Sequence, residues 1–170
     1  MKNKEHLSLE PIGPNVHKAT SGKCSQKYLV SACLAGVPCR YDGTTCLIDA
    51  IALLVKDGAA LPFCPETAGG LLTPRAPSEI CDNKVINSIS EDVTEQHLLG
   101  AKKTLAFMNT NNLETAILKD FSPSCGSSMI YDGTFTKTLI PGEGITTIHL
   151  RANGITVCSA EDYLMGKNIS

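Results

Sequence analysis

Three short apolar segments of this chain each run into a cysteine. Segments of this length and apolar character are typical of buried β-strands. The segments and their cysteines are residues 28–32 with Cys33, residues 61–63 with Cys64, and residues 115–118 with the loop that carries Cys125. The pattern therefore predicts three strands that each deliver one thiol at the carboxyl end.

Segments with a helical spacing of apolar residues lie between these strands and after them. The predicted helices are residues 47–56, 94–109 and about 144–152, and residues 155–158 form a last predicted strand. Strands that alternate with helices are typical of an α/β domain with a mainly parallel sheet. We therefore expect a single three-layer, Rossmann-like domain. Ligands of such sheets bind beyond the carboxyl ends of the strands, where the strand order switches, so the three thiols should converge there.

Residues 122–126 form the loop on which the expected site depends most. Pro123 restrains the residue before it to an extended backbone, and Gly126 permits a positive φ, so the loop should bend with its N–H groups directed inward. A second loop, residues 65–77, contains three prolines and two adjacent glycines, and a loop of this length is typically functional. Residues 78–89 are predicted to form either a short helix or an edge hairpin.

The length and charge of the chain limit the classes of function. Its 170 residues, 42% of them hydrophobic, suffice for one self-supporting core. The net charge of −2 and the lack of a basic block argue against autonomous nucleic-acid binding. No segment reads as a secretion leader or a membrane span, so we expect a cytoplasmic protein with reduced thiols. Residues 1–26 are predicted to be a flexible N-terminal extension of an α/β domain at residues 27–170.

The cysteines define which metal chemistry is open to the chain. Eight cysteines in a reducing compartment favour metal binding or redox chemistry, yet no Cys-x-x-Cys pair is present, so the fold must assemble the site. Three thiolates could hold zinc with one open position, or an iron–sulfur cluster with one iron free of protein. No histidine lies in a cysteine loop, which makes histidine ligation a weak option. The role of Cys39 stays open, and the remaining cysteines are interpreted as small apolar residues: Cys24, Cys46, Cys81 and Cys158.

Two polar residues beside the cysteines are candidates for proton transfer. Glu66 lies two residues after Cys64, and Ser122 lies three residues before Cys125, so both should reach a ligand bound by the thiols. Each also has a structural alternative. Glu66 could cap a helix or brace its own loop, and the Ser122 hydroxyl could bond its own backbone.

Two arginines in the same loops also have two interpretations. Arg40 and Arg75 could anchor an anionic or carbonyl-rich substrate, or they could brace the loops by pairing with Asp42 or Glu79. We favour bracing.

Several sequence strings form a specific combination. The main strings are Ser31-Ala32-Cys33-Leu34, Cys39-Arg40-Tyr41-Asp42-Gly43, Cys64-Pro65-Glu66, Thr73-Pro74-Arg75, Ser122-Pro123-Ser124-Cys125-Gly126 and Tyr131-Asp132-Gly133-Thr134-Phe135. From about residue 27 to 163, the chain resembles a small bacterial family that includes the thiouracil desulfidases. The resemblance implies a [4Fe-4S] cluster held by Cys33, Cys64 and Cys125, whose free iron takes the sulfur of a small thiolated base. It also implies that Glu66 and Ser122 assist the attack of water on the thiocarbonyl carbon.

Two other functions are consistent with the same residues. A non-enzymatic metal- or cluster-binding module, or a sulfur carrier, would use the thiols to store or relay sulfide. A metal-free transferase would use Cys125 as a nucleophile, activated by the positive end of the following helix.

Overall fold

The computed structural model of this protein describes residues 27–167. In chain order, its elements are β1 (Tyr28–Ser31), a 3₁₀ helix (Ala32–Ala35), α1 (Asp49–Lys56), β2 (Ala60–Phe63), α2 (Pro65–Ala68), β3 (Ser78–Cys81), β4 (Lys84–Asn87), α3 (Thr94–Thr110), β5 (Thr115–Leu118), β6 (Met129–Tyr131), β7 (Leu139–Pro141), α4 (Ile145–Ala152), β8 (Thr156–Ser159) and α5 (Ala160–Leu164). The predicted N-terminal extension, residues 1–26, lies outside the described residues.

Four of these strands form one parallel sheet in the order β2–β1–β5–β8. The chain passes from β1 to β2 on one side and later returns to place β5 on the other side of β1. The strand order therefore switches direction between β1 and β5, where Val30 lies opposite Ile117. The predicted α/β architecture with a parallel sheet is confirmed, and the ligand crevice of such a sheet lies beyond Ser31 and Leu118 at this switch point.

Helices cover both faces of the sheet. Successive strand residues point to opposite faces, so Val30 packs in one apolar cluster with Ile51 of α1, while its neighbour Leu29 packs in another with Met108 of α3 and Leu150 of α4. These two clusters join the sheet to the helices on its two faces, which gives the three layers that the sequence predicts. Within residues 27–167, no helix has both the length and the apolar character needed to cross a bilayer.

Two antiparallel hairpins lie outside the central sheet. β3 and β4 pair from Ser78 opposite Asn87, which confirms the hairpin alternative for residues 78–89. β6 and β7 pair from Met129 opposite Pro141, in a region for which the sequence predicts no strand. Each strand of this second hairpin has three residues, and such strands carry too little alternation to be recognised from sequence.

Two short helices were not predicted. α2 occupies the first four residues of the loop at 65–77, where Pro65 at the first position and Glu66 in the first turn both favour a helix start. The sequence did not predict this helix, because the prolines and glycines of the segment are typical of a loop. α5 follows β8 directly, and the hydroxyl of Ser159 accepts a hydrogen bond of 3.0 Å from the backbone N–H of Asp162 as its N-cap.

Two glycines allow α2 to lie against α3 at backbone contact. A Cβ atom at Gly100 of α3 would overlap the carbonyl oxygen of Pro65, and one at Gly69 would overlap the carbonyl oxygen of Gln96. Neither glycine has a positive φ, so close approach of the two backbones is the reason for both. This contact sets the position of α2, which carries Glu66.

We predict that Gly100→Ala lowers the free energy of unfolding by about 1–3 kcal/mol, because overpacking against a fixed backbone outweighs the helix propensity of alanine. Urea denaturation measures the change. Asn109→Ala, at an exposed position of the same helix, is the matched control and should leave stability unchanged or slightly higher. Equal stability of Gly100→Ala and the control would show that α2 does not depend on this contact.

Candidate metal centre

A cavity of about 470 Å³ opens beyond the carboxyl ends of β1, β2 and β5. Five cysteines contribute to its wall: Cys33, Cys39, Cys46, Cys64 and Cys125. The structure therefore brings the three cysteines predicted from the strand ends into one cavity. It also adds Cys39, whose role the sequence left open.

Each strand-end thiol is delivered by a different local structure. Cys33 lies in the 3₁₀ helix that follows β1, Cys64 immediately precedes α2, and Cys125 lies in the loop after β5. Cys39 reaches the same place because the chain reverses at Gly36, whose φ of 92° favours glycine. The side chain of Cys39 makes hydrogen bonds with the thiols of both Cys33 and Cys64.

Three of the cavity thiols, those of Cys39, Cys64 and Cys125, have a raised pKa. The hydrogen bond with Cys33, together with burial, raises the pKa of Cys39 to about 11, although the hydrogen bond with Cys64 opposes the shift. The hydrogen bond with Cys39 and burial raise the pKa of Cys64. Burial raises the pKa of Cys125 to about 12, and a hydrogen bond with Ser31 opposes it. A bound metal would reverse this balance, because a coordinating thiol loses its proton to the positive charge of the metal.

The donor set suits a cluster better than a single ion. Among residues 27–167, no three histidine, cysteine, aspartate or glutamate side chains are grouped closely enough to hold one metal ion. An iron–sulfur cluster does not need such a group, because each cysteine binds a different iron of an extended body. Soft sulfur donors in an enclosed cavity fit such a cluster, and zinc, the alternative, gains no support from this arrangement.

Ser31 is a site residue that sequence reasoning missed. It is 2% exposed and lies one residue before the 3₁₀ helix that carries Cys33. Its hydroxyl oxygen accepts a hydrogen bond of 2.9 Å from the backbone N–H of Lys119, and the same side chain hydrogen-bonds to Cys125. Ser31 therefore orients a candidate ligand from the neighbouring strand, as the residues around metal sites commonly do. Its signals in the sequence are its place two residues before Cys33 and its membership of the string Ser31-Ala32-Cys33-Leu34.

Glu66 lies at the cavity and is held by an arginine. Its Oε2 atom accepts hydrogen bonds from Arg75, at 3.0 Å from Nε and at 2.5 Å from Nη2. The two side chains are 15% and 10% exposed, so this ion pair is largely shielded from water. The Oε1 atom of Glu66 accepts a longer hydrogen bond of 3.3 Å from the hydroxyl of Ser122.

The hydroxyl of Ser122 both accepts and donates hydrogen bonds. Its oxygen accepts hydrogen bonds of 3.1 Å from the backbone N–H groups of Ser124 and Cys125. Its proton is donated to Glu66. The backbone-bonding alternative for Ser122 is therefore present, and it exists together with the contact to Glu66. The serine fixes the loop that presents Cys125.

The arginines brace the loops, as expected, although one predicted partner was wrong. Arg40 lies 3.4 Å from Asp42, as predicted. Arg75 pairs with Glu66, not with Glu79, because α2 turns the Glu66 carboxylate toward it. The Nη2 atom of Arg75 also donates a hydrogen bond of 3.1 Å to the carbonyl oxygen of Cys39. Arg75 therefore joins the loop after β1 to the loop after β2.

The remaining cysteines divide between the cavity and the packing around it. Cys46, interpreted from sequence as a small apolar residue, lines the cavity and accepts a hydrogen bond from Arg40. Cys81 and Cys158 do not line the cavity. Cys24 lies outside the described residues.

Aromatic side chains form much of the outer wall of the cavity, and they are Tyr41, Phe63, Phe121, Tyr131 and Phe135. Two of them have a backbone conformation that is rare for bulky residues, with φ of 62° at Phe121 and 59° at Phe135. Such strained positions are concentrated at functional sites.

The fold and the cavity together define a class of protein, an α/β domain with a cysteine-lined cavity at the switch point of its parallel sheet. Comparison with known proteins narrows this class. The family model for 2-thiouracil desulfurase matches residues 28–162. The chain belongs to this family, and the resemblance found in the sequence strings is confirmed.

Two relatives are similar over most of their length. The uncharacterised protein YbbK of Bacillus subtilis strain 168 is 42% identical over 144 residues, which cover 79% of this chain and 95% of YbbK. A solved structure, the [4Fe-4S]-dependent thiouracil desulfidase TudS, is similar with a TM-score of 0.78 and 42% identity. That match covers 82% of this chain and 94% of the other.

The raised thiol pKa values predict how the stability of the cluster-free protein depends on pH. The folded state keeps the protons of Cys39 and Cys125 to a higher pH than the unfolded chain does. The contribution of these two thiols to the free energy of unfolding should therefore be constant below about pH 8 and fall above it, by up to about 1.4 kcal/mol per pH unit for each thiol.

Urea denaturation under reducing conditions, at about pH 8 and about pH 10, measures this loss. Cys39→Ser removes one titrating thiol and should lose less stability between the two pH values than the wild type. The same loss in both proteins would contradict the shift at Cys39.

Proposed function

We propose that this protein removes sulfur from a small thiolated pyrimidine by hydrolysis, with a [4Fe-4S] cluster bound by Cys33, Cys64 and Cys125. The observation that carries the proposal is the convergence of these three thiols, two of them buried, in one cavity. Membership of the 2-thiouracil desulfurase family and similarity to a [4Fe-4S]-dependent desulfidase support it. The reaction replaces C=S by C=O: water supplies the oxygen, sulfur leaves as sulfide, and no electrons are gained or lost.

The bound cluster would supply a Lewis-acidic iron that has no protein ligand and can accept the sulfur of the substrate. The residues of the chain supply the rest of the site. Ser31 and Ser122 orient Cys125 through hydrogen bonds, and Arg75 fixes the loop that carries Cys39. A volume of about 470 Å³ lies within the usual range for small-molecule sites, and the aromatic walls suit a flat ring.

Glu66 is the proposed proton acceptor for the attacking water. Its Oε2 atom is held by Arg75, whereas Oε1 has only the long contact of 3.3 Å with Ser122 and keeps capacity to accept a second hydrogen bond. The carboxylate can take a proton from water at Oε1 and return it when the sulfur leaves. Ser122 acts through Glu66 and Cys125, so its proposed role is positioning.

The alternatives differ in what they require of the thiols. A metal-free nucleophile needs a lowered pKa, whereas burial raises the pKa of Cys125 to about 12. The helix that follows, α4, directs the N–H groups of its first turn at the carbonyl oxygens of Pro123 and Ser124, not at the thiol. A cluster-binding module or sulfur carrier would hold the same cluster without turnover, and sulfide release separates it from an enzyme. We place the protein in the cytoplasm, where thiols remain reduced.

We predict that protein reconstituted with iron and sulfide under anaerobic conditions shows an iron–sulfur absorption band and releases sulfide from 2-thiouracil. Cys33→Ser, Cys64→Ser and Cys125→Ser should each bind far less iron, because a soft ligand is lost. Cys158→Ser, outside the cavity, is the matched control and should keep the full iron content. Iron analysis and absorption spectra measure the difference. A strand-end variant that keeps all of its iron would remove that cysteine from the ligand set.

Glu66→Gln should keep the absorption band while the turnover number falls by about 10²–10⁴-fold, the usual contribution of a general base. It should also lower the free energy of unfolding by about 1–3 kcal/mol, because Arg75 loses its charged partner. Ser122→Ala should reduce turnover less. Iron content and sulfide release are measured on the same samples. Unchanged turnover in Glu66→Gln would end its catalytic role, and loss of the cluster would make it a structural residue.

A further inference from the structure

The cavity wall contains a buried carboxylate, that of Glu79, which the proposed mechanism does not use. Glu79 belongs to β3, outside the central sheet, and is 7% exposed. Its backbone pairs with Ile86 across the β3–β4 hairpin, and its side chain lines the cavity. Carboxylates are almost never buried to this extent without partners, so the contacts of each oxygen are informative.

The two oxygens of Glu79 have different environments. Oε2 accepts hydrogen bonds of 3.0 Å each from the backbone N–H groups of Gly133 and Phe135. Oε1 receives no hydrogen bond from residues 27–167, and no lysine, arginine or histidine of that range forms an ion pair with Glu79.

Oε1 is nevertheless not sealed inside the protein. The buried side-chain atoms without a hydrogen-bond partner in the described chain are Nε of Arg40, Nδ1 of His97 and Oγ of Ser127, and Oε1 of Glu79 is not one of them. Oε1 therefore keeps accessible surface, and the cavity is the space that the Glu79 side chain lines. Because the carboxylate is fixed and Oε1 has no hydrogen bond within the described residues, Oε1 can accept a hydrogen bond from a ligand in the cavity.

We propose that Glu79 binds the substrate, with Oε1 accepting a hydrogen bond from a ring N–H of the thiolated pyrimidine. This inference rests on the proposed function and adds the recognition of the ring to it. A thiouracil carries N–H groups beside its thiocarbonyl carbon, and a hydrogen bond to a carboxylate is charge-assisted. The two backbone N–H donors hold the carboxylate of Glu79 in one orientation. A hydrogen bond from the ring to this fixed carboxylate would therefore also fix how the ring is turned within its plane. Glu66 has less capacity for this role, because both of its oxygens already have side-chain partners.

Glu79→Gln is the sharpest test, because it keeps an acceptor for the two backbone N–H groups and replaces the acceptor that faces the cavity with a hydrogen-bond donor. The amide oxygen can still accept from Gly133 and Phe135, which directs the NH₂ group, a donor, at the ring N–H. Calorimetry on the anaerobically reconstituted protein measures the dissociation constant of uracil, a ligand without sulfur. We expect uracil to bind Glu79→Gln about 10- to 100-fold more weakly than wild type. Glu114→Gln, an exposed carboxylate outside the cavity, is the control and should match the wild type.

The N-methyl derivatives 1-methyluracil and 3-methyluracil test the same hydrogen bond from the side of the ligand. Methylation at the bonded nitrogen should weaken binding to the wild type by a similar factor and should have little further effect in Glu79→Gln. Thermal unfolding shows whether Glu79→Gln is folded. If it is not, the methylation series on the wild type decides.

Three results would overturn the role of Glu79: equal affinity of wild type and Glu79→Gln for uracil, tolerance of both methylations by the wild type, or no uracil binding by the wild type. The proposed function is tested separately by sulfide release from 2-thiouracil by the wild type. A wild type that releases sulfide, with a Glu79→Gln variant of equal affinity, would retain the proposed function and reject this inference alone.

Discussion

The guanidinium group of Arg75 holds together the two loops that supply four of the five cavity thiols. It bonds to Glu66 of α2 and to the carbonyl oxygen of Cys39, so the loops after β1 and β2 cannot move independently. The planar guanidinium suits this task, because its donors point to several acceptors at fixed angles. Loss of this residue would free the wall that carries Cys33 and Cys39 from the wall that carries Cys64.

Burial gives the cavity both its chemistry and its sensitivity to solution conditions. Thiols enclosed in this way resist ionisation, as the raised pKa values of Cys39 and Cys125 show. A metal centre bound by such thiols must displace their protons, so binding is coupled to pH and to the stability of the fold. Enclosure also strengthens the electrostatic interaction between Glu66 and its partners, since water is largely excluded from the pair.

The sequence predicted the parts of the fold that depend on periodicity. Alternating strands and helices were enough to place Cys33, Cys64 and Cys125 at one edge of a parallel sheet. The course of the loops could not be predicted in this way. Cys39 reaches the other thiols only because the backbone reverses at Gly36.

Individual hydrogen bonds could not be predicted from the sequence either. Nothing in the spacing of Glu66 and Glu79 indicates that one pairs with Arg75 while the other accepts from two backbone N–H groups. The double role of Ser122 has the same origin, because it depends on the bend at residues 122–126 and on the position of α2. The candidate ligands could therefore be named from the sequence, whereas the roles of the polar residues required the three-dimensional contacts.

A crystal structure of the anaerobically reconstituted protein tests the central claim most directly. The account predicts a four-iron cluster in the cavity, bonded to the sulfur atoms of Cys33, Cys64 and Cys125, with one iron free of protein and the Cys39 thiol not bonded to iron. A cluster bonded through Cys39 in place of one of these three residues would contradict it. So would iron bound elsewhere on the chain while the cavity thiols remain unligated.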